Sequence, residues 1–457
     1  MRSIRSRLKG GLTPRTRRMF STAAASYLAR FGSALTLFIT IPLARQTLSA
    51  ELFGVWMMLS ALVGFFSFAD LGVGNGVLNR MTAAHSRGDR TAAARVMVAG
   101  YSCTSAAALL LLVVWFACLL SAQDPLAFAG TISNHHREEV LWAFSTFALM
   151  MALNLPAGLI QKFQLGCQDG QWVGLSQFFA AMGSLIAVPA ALYWQLGLPS
   201  LVLASLGMQV LANLVNSALW LHRRGYFAGL KWRFLERESV KALLRTGLMF
   251  FVLQLCAAFA FQSDAFVIAQ VLGQPAYGDF AAVQKIFLSV STLVGAALLG
   301  LWPAFGEALQ SGDVAWARQT LQRALVTGLA VMGSLCLGLV FSMGWLAQVW
   351  LKMPPPPLLL TALLALWTVI ETLGLIVGSM FNGAGILRAQ VLLALIVASV
   401  SFSAKWWLVE AYGAWGAVLA TIAAYCLISV PFQILLLRRL FREHAHTPTL
   451  PSFGRQT

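Results

Sequence analysis

Ionisable side chains fall deep inside long apolar stretches of the chain, among them Arg30, Asp264, Lys285, Glu371 and Lys405. A charge at the centre of a spanning helix costs at least about 2.5–3.5 kcal/mol on insertion scales, so each is expected to face protein or an aqueous cavity. Their types set the available chemistry. A guanidinium such as Arg30 grips a phosphate or acidic sugar through two parallel hydrogen bonds; pairing with Glu371 or snorkelling is the alternative. Asp264 lies ten residues before Gln274 and Lys285 eleven after it, so on two antiparallel helices joined there they reach the same depth. Such a pair stays nearly neutral until protonation or a ligand breaks it, which would make a coupling switch; a static bridge is the alternative. Glu371 is either a proton or sodium carrier or the partner of Arg30. Lys405 stands near a helix end, where a lysine snorkels or adds to a cationic site.

The elements that position these groups are read from composition. Of 457 residues, 59% are hydrophobic and only 11% charged, with mean hydropathy +0.75. A soluble domain carries roughly a quarter of its residues as charges, so this chain faces lipid. A spanning helix needs about 20 apolar residues. Twelve such runs are expected, at 20–44, 52–78, 96–121, 140–160, 172–193, 201–221, 247–272, 280–301, 325–349, 358–381, 391–409 and 414–437. The first is too long for a signal-peptide core and is read as a helix. The fold class is therefore all-α and integral to a membrane.

The net charge of +16 follows topology and does not imply nucleic acid. With the N-terminus cytoplasmic, 26 of the 32 Lys and Arg fall on cytoplasmic segments, as the positive-inside rule requires. Both termini are expected on that side. The six cysteines form no CxxC pair, so neither a disulfide framework nor a zinc site is indicated.

The sequence also repeats itself weakly. Phe53-Gly54 falls on Tyr277-Gly278 and Gly88-Asp89 on Gly312-Asp313, both 224 positions apart. "GLPSLVLA" from Gly197 echoes "GAWGAVLA" from Gly413. An even number of helices per half makes the repeats parallel. The expected organisation is a basic cytoplasmic tail (1–19), a six-helix bundle (20–222), a basic linker (223–246), a second six-helix bundle (247–437) and a cytoplasmic tail (438–457). Two bundles around a central cleft are what alternating access needs.

Near the end of the second run, Asp70, Gly72, Gly74 and Asn75 suggest a packing or hinge point. The "GVGNG" run follows no strand and lacks the Lys-Ser/Thr ending, which excludes a phosphate-binding P-loop. Pro156 and Pro303 are expected to kink or break their helices.

The stretch from Glu51 to Arg80, "ELFGVWMMLSALVGFFSFADLGVGNGVLNR", resembles the second helix of the polysaccharide transporter branch of the MOP flippase superfamily. That branch includes the O-antigen flippases and is related to the MATE exporters. "SDAFVIAQVLGQPAYGDFAAVQKI" from Ser263 is similar to the family's seventh-to-eighth helix hairpin, with an acidic residue where Asp264 stands. The resemblance implies translocation of an undecaprenyl-pyrophosphate-linked oligosaccharide, an O-antigen or exopolysaccharide unit, across the bacterial inner membrane. Arg30, Lys285 and Lys405 would form a cationic cleft for the cargo. Asp264 and Glu371 would couple transport to protons or sodium. Membrane lipids and polysaccharide polymerase or other assembly proteins are the implied partners, with no cofactor.

Two other classes compete. A small-molecule exporter of cations would favour an acidic cleft, whereas this chain also buries Arg30 and Lys285. A membrane polymerase or ligase needs acid/base or metal-binding groups at one face; only the outer loop His135-His136-Arg137-Glu138-Glu139 offers them.

Overall fold

The computed structural model describes residues 14–66, 72–121, 125–130, 132–226, 236–241, 243–244, 263–298 and 301–445. Among them all regular structure is helical. Nine of the described helices are long and apolar enough to cross a membrane, and Ala50–Gly64 and Ser263–Leu272 are shorter apolar helices. The chain divides into two units: Met1–Phe128 with Ile132–Leu255, and Ala129–Thr131 with Cys256–Thr457.

The first unit contains α1 (Pro14–Thr47), α2 (Ala50–Phe66), α3 (Val73–Ser86), α4 (Arg90–Ser121), α5 (Arg137–Gly166), α6 (Gly170–Tyr193) and α7 (Leu198–Arg224). In lipid no hydrophobic force holds helices together, so close backbone approach through small residues must do so. The α1–α6 contact shows this. A Cβ added at Gly174 would lie 2.5 Å from the Ala25 carbonyl carbon, and one at Gly170 would lie 2.5 Å from Thr22 Cγ2. Thr36 Oγ1 also donates to the Ala181 carbonyl at 2.9 Å. Met81, Met97, Phe163 and Trp220 form the buried core of this unit.

The second unit contains α8 (Ser263–Leu272), α9 (Gln274–Leu298), α10 (Leu301–Gln310), α11 (Val314–Leu351), α12 (Leu358–Gly383), α13 (Leu387–Tyr412) and α14 (Trp415–Arg442). Phe305, Leu321, Met380 and Leu440 are buried together. Outward-facing Ile186 and Phe341 are 73% and 82% exposed, as lipid-facing side chains should be.

The turns that the sequence repeat pairs have matching geometry. Gly88 and Gly312 both take positive φ, 68° and 77°. In each, the next aspartate donates its N–H back to an alanine carbonyl (Ala84, 3.1 Å; Ala308, 2.9 Å). Each aspartate then caps the following helix, accepting from Ala92 N at 2.9 Å or Trp316 N at 3.0 Å. Gly197 and Gly413, which precede the last long helix of each half, sit at φ 81° and 77°. Phe53 and Tyr277 are both almost fully buried.

One expectation changes. The run expected at 52–78 is described as two helices, because Gly72 adopts φ 71° at the start of α3, a conformation that a continuous helix excludes. Pro156 lies inside α5 without ending it. Pro303 falls in the first turn of α10, where its missing N–H costs nothing. Asp70, most of the run expected at 247–272 and much of the linker and tails lie outside the described residues.

Candidate functional site

Asp264 on α8 meets Lys405 on α13. The ammonium lies 2.6 Å from Asp264 Oδ1 and donates to Ser263 Oγ at 2.9 Å. Gln284 on α9 donates to Asp264 Oδ2 at 3.2 Å. Lys405 is 0% exposed. This corrects two expectations: Lys405 does not snorkel, and the partner of Asp264 is Lys405 and not Lys285. Equal depth was the right inference, but successive helical residues point about 100° apart. The register of α9 turns Gln284, not Lys285, toward Asp264. To contact cargo, Lys405 would have to leave this pair.

Lys285 instead shares a face of α9 with Ser289 and Thr292, at i+4 and i+7. It is half-buried, and among the described residues no carboxylate or acceptor reaches its ammonium. Glu371 on α12 accepts a hydrogen bond from Ser291 Oγ of α9 at 3.1 Å. Gln284 and Ser291 lie seven residues apart, so one face of α9 serves both acids and the adjacent face carries the free lysine. Arg30 is half-buried on α1.

Glu139 and Glu51 perform structural work. Glu139 Oε1 accepts from Leu198 N at 2.7 Å, capping α7. Glu51 accepts from Ser133 N and Oγ at 2.6 and 2.8 Å. Among the described residues no group of three or more His, Cys, Asp or Glu is arranged to hold a metal ion.

A family model described as "Polysaccharide biosynthesis protein" matches residues 22–309. The chain belongs to this family. A Yersinia pseudotuberculosis protein assigned to O-antigen export is 22% identical over 304 residues, which cover 63% of this chain and 64% of that relative's length. Among solved structures, the inward-facing conformation of a multidrug resistance MATE family transporter of the MOP superfamily aligns with TM-score 0.77 at 14% identity, covering 93% of this chain and 96% of that one. The outward-facing conformation of such a transporter aligns at 0.62, with 14% identity and coverage of 95% and 97%. A MOP superfamily transporter from Pyrococcus furiosus aligns at 0.54, with 15% identity and coverage of 92% and 96%. The fold is thus MATE-like, and the described helices make this member of the polysaccharide biosynthesis family a multi-pass membrane protein.

The family member carries one polar feature that sequence reasoning missed. Between α5 and α7 runs a ladder of amides. Gln164 and Asn216 bond reciprocally at 2.8 and 3.1 Å. Gln161 donates to Asn213 Oδ1 at 2.9 Å, and Asn213 donates to Asn154 Oδ1 at 3.0 Å. At the ladder's end, Asp169 accepts from Trp220 Nε1 at 2.9 Å and pairs with Arg224. The signal was present as amides at helical spacing on two runs: 154, 161, 164 and 209, 213, 216. In lipid such amides join helices.

Proposed function

We propose that the chain is a flippase that carries a polyprenyl-pyrophosphate-linked oligosaccharide, such as an O-antigen or exopolysaccharide repeat unit, across the inner membrane by alternating access. The observation that carries this reading is Lys285, a half-buried cation within an apolar helix that no described carboxylate neutralises. An anion in transit supplies the missing charge, and a pyrophosphate is a multivalent one. Arg30 is the second cation assigned to the cargo.

Twelve spans, two six-helix bundles (20–222 and 247–437) and cytoplasmic termini complete this reading. The charge asymmetry, the paired turns and the family membership support it. Glu371 is the leading candidate for proton or sodium coupling, since a serine hydroxyl is its described partner; Asp264 would act only by releasing Lys405. The polyprenyl tail stays among membrane lipids, and polymerase or other assembly proteins receive the unit.

The test is to inactivate the gene in its host and quantify lipid-linked oligosaccharide on each side of the membrane with an impermeant glycan label. Finished units trapped on the cytoplasmic side support the flippase. Normal sidedness with unchanged glycans would point to a small-molecule exporter.

A further inference from the structure

Within the second unit, α12, α13 and α14 line a partly open cavity of about 150 Å³, a volume that takes one six-membered ring. Its wall holds Trp367, Gln390, Ser401, Thr421, Tyr425 and Gln433. None of the residues lining it is charged. Tyr425 opens a π-helical segment of α14, Tyr425–Ser429, and such one-turn insertions recur at functional sites.

The polar groups are set to bind. Gln433 Nε2 donates to the Tyr425 hydroxyl at 3.0 Å, so the phenol accepts there and keeps its own proton to give. Gln390 spends its N–H groups on Asn382 Oδ1 at 3.0 Å and the Ile386 carbonyl at 2.9 Å. Its Oε1 stays open as an acceptor facing Gly378, where an added Cβ would lie 3.8 Å away. Ser401 and Thr421 hydroxyls lie 3.3 Å apart on the same wall. Trp367 stands edge-on to Tyr425, with ring centroids 5.6 Å apart and planes at 82°. Gly374 is needed for this arrangement, since a Cβ there would sit 2.2 Å from the Tyr425 hydroxyl.

These features select the ligand. An anion finds no countercharge in the wall. A hydrocarbon chain would leave a phenolic proton and an amide oxygen buried without partners. A neutral sugar ring satisfies both, with hydroxyls for the polar groups and C–H faces for the aromatic ones. We infer that this cavity is a glycan subsite that seats one uncharged sugar ring of the cargo, separately from the cation that holds its phosphate. The inference rests on the flippase reading above.

Gly378→Leu fills the cavity without a backbone clash, because Gln390 Oε1 at 3.8 Å is the only atom near the added Cβ. Gly338→Leu on α11, where nothing lies within 4 Å, controls for added bulk. Tyr425→Phe removes the hydroxyl and keeps the ring. Binding to the full-length protein in nanodiscs would be measured with two probes: lipid-linked oligosaccharide extracted from gene-deleted cells, and undecaprenyl pyrophosphate without sugar.

Gly378→Leu should weaken the glycan-bearing probe by roughly tenfold or more and leave the sugar-free probe within about twofold. Tyr425→Phe should move the same probe in the same direction, and it decides the matter if Gly378→Leu does not fold. Unchanged binding of both probes by these variants overturns the subsite while the flippase stands. Equal weakening of both overturns it in favour of a lipid-chain or purely structural cavity. If the wild type binds neither probe, the flippase reading fails as well.

Discussion

The Lys405 ammonium lies 2.6 Å from the Asp264 carboxylate, and the lysine has no exposed surface. Removing one partner of such a pair leaves an uncompensated buried charge, at a cost of about 3–5 kcal/mol; removing both can be nearly neutral. Lys405→Met alone should therefore lower the Tm in detergent sharply, and Asp264→Asn with Lys405→Met should recover most of the loss. If the double variant is no better than the single, the two residues are not partners.

Lys285 makes the opposite prediction. With no described partner to strand, Lys285→Gln should change stability by no more than about 0.5 kcal/mol while abolishing most translocation. Lys285→Arg should retain it, because the charge persists. A Gln variant that flips normally would remove the lysine from the site.

The amide ladder should behave as mutual support. Gln164→Leu leaves the buried Asn216 amide unpaired and should cost roughly 1–2 kcal/mol. Gln164→Leu with Asn216→Leu should cost less than the sum of the singles, as read by thermal unfolding; strict additivity would argue against the reciprocal bond.

Backbone contact between helices gives a steric prediction. At Gly416 an added Cβ would lie 2.1 Å from the Leu408 carbonyl oxygen, and at Gly174 it would lie 2.5 Å from the Ala25 backbone. Backbone cannot step aside as a side chain tip can, so Gly416→Ala and Gly174→Ala should each destabilise by about 1–3 kcal/mol. Gly333→Ala, in open space, should not.

What the sequence made legible divides along physical lines. The Gly-Asp turns at 88–89 and 312–313 were readable because positive φ and helix capping are local demands on residue type. Membrane class followed from run lengths and composition, which are sums over many residues. The partner of Asp264 was not readable, because choosing between Gln284 and Lys285 depends on a helix rotation that depth does not report. The amide ladder escaped because its bonds span about fifty residues of sequence, as from Gln164 to Asn216 with |i−j| of 52.

The central claim is that the chain moves a lipid-linked sugar by meeting its phosphate charge with an unneutralised lysine. The most direct measurement is flipping in proteoliposomes that contain only this protein and lipid-linked oligosaccharide extracted from gene-deleted cells, with outward arrival read by an impermeant glycan label. The account predicts transport by wild type and Lys285→Arg and a loss of roughly tenfold or more in Lys285→Gln, at equal protein content and equal Tm. No transport by any of them, or equal transport by all three, would contradict it.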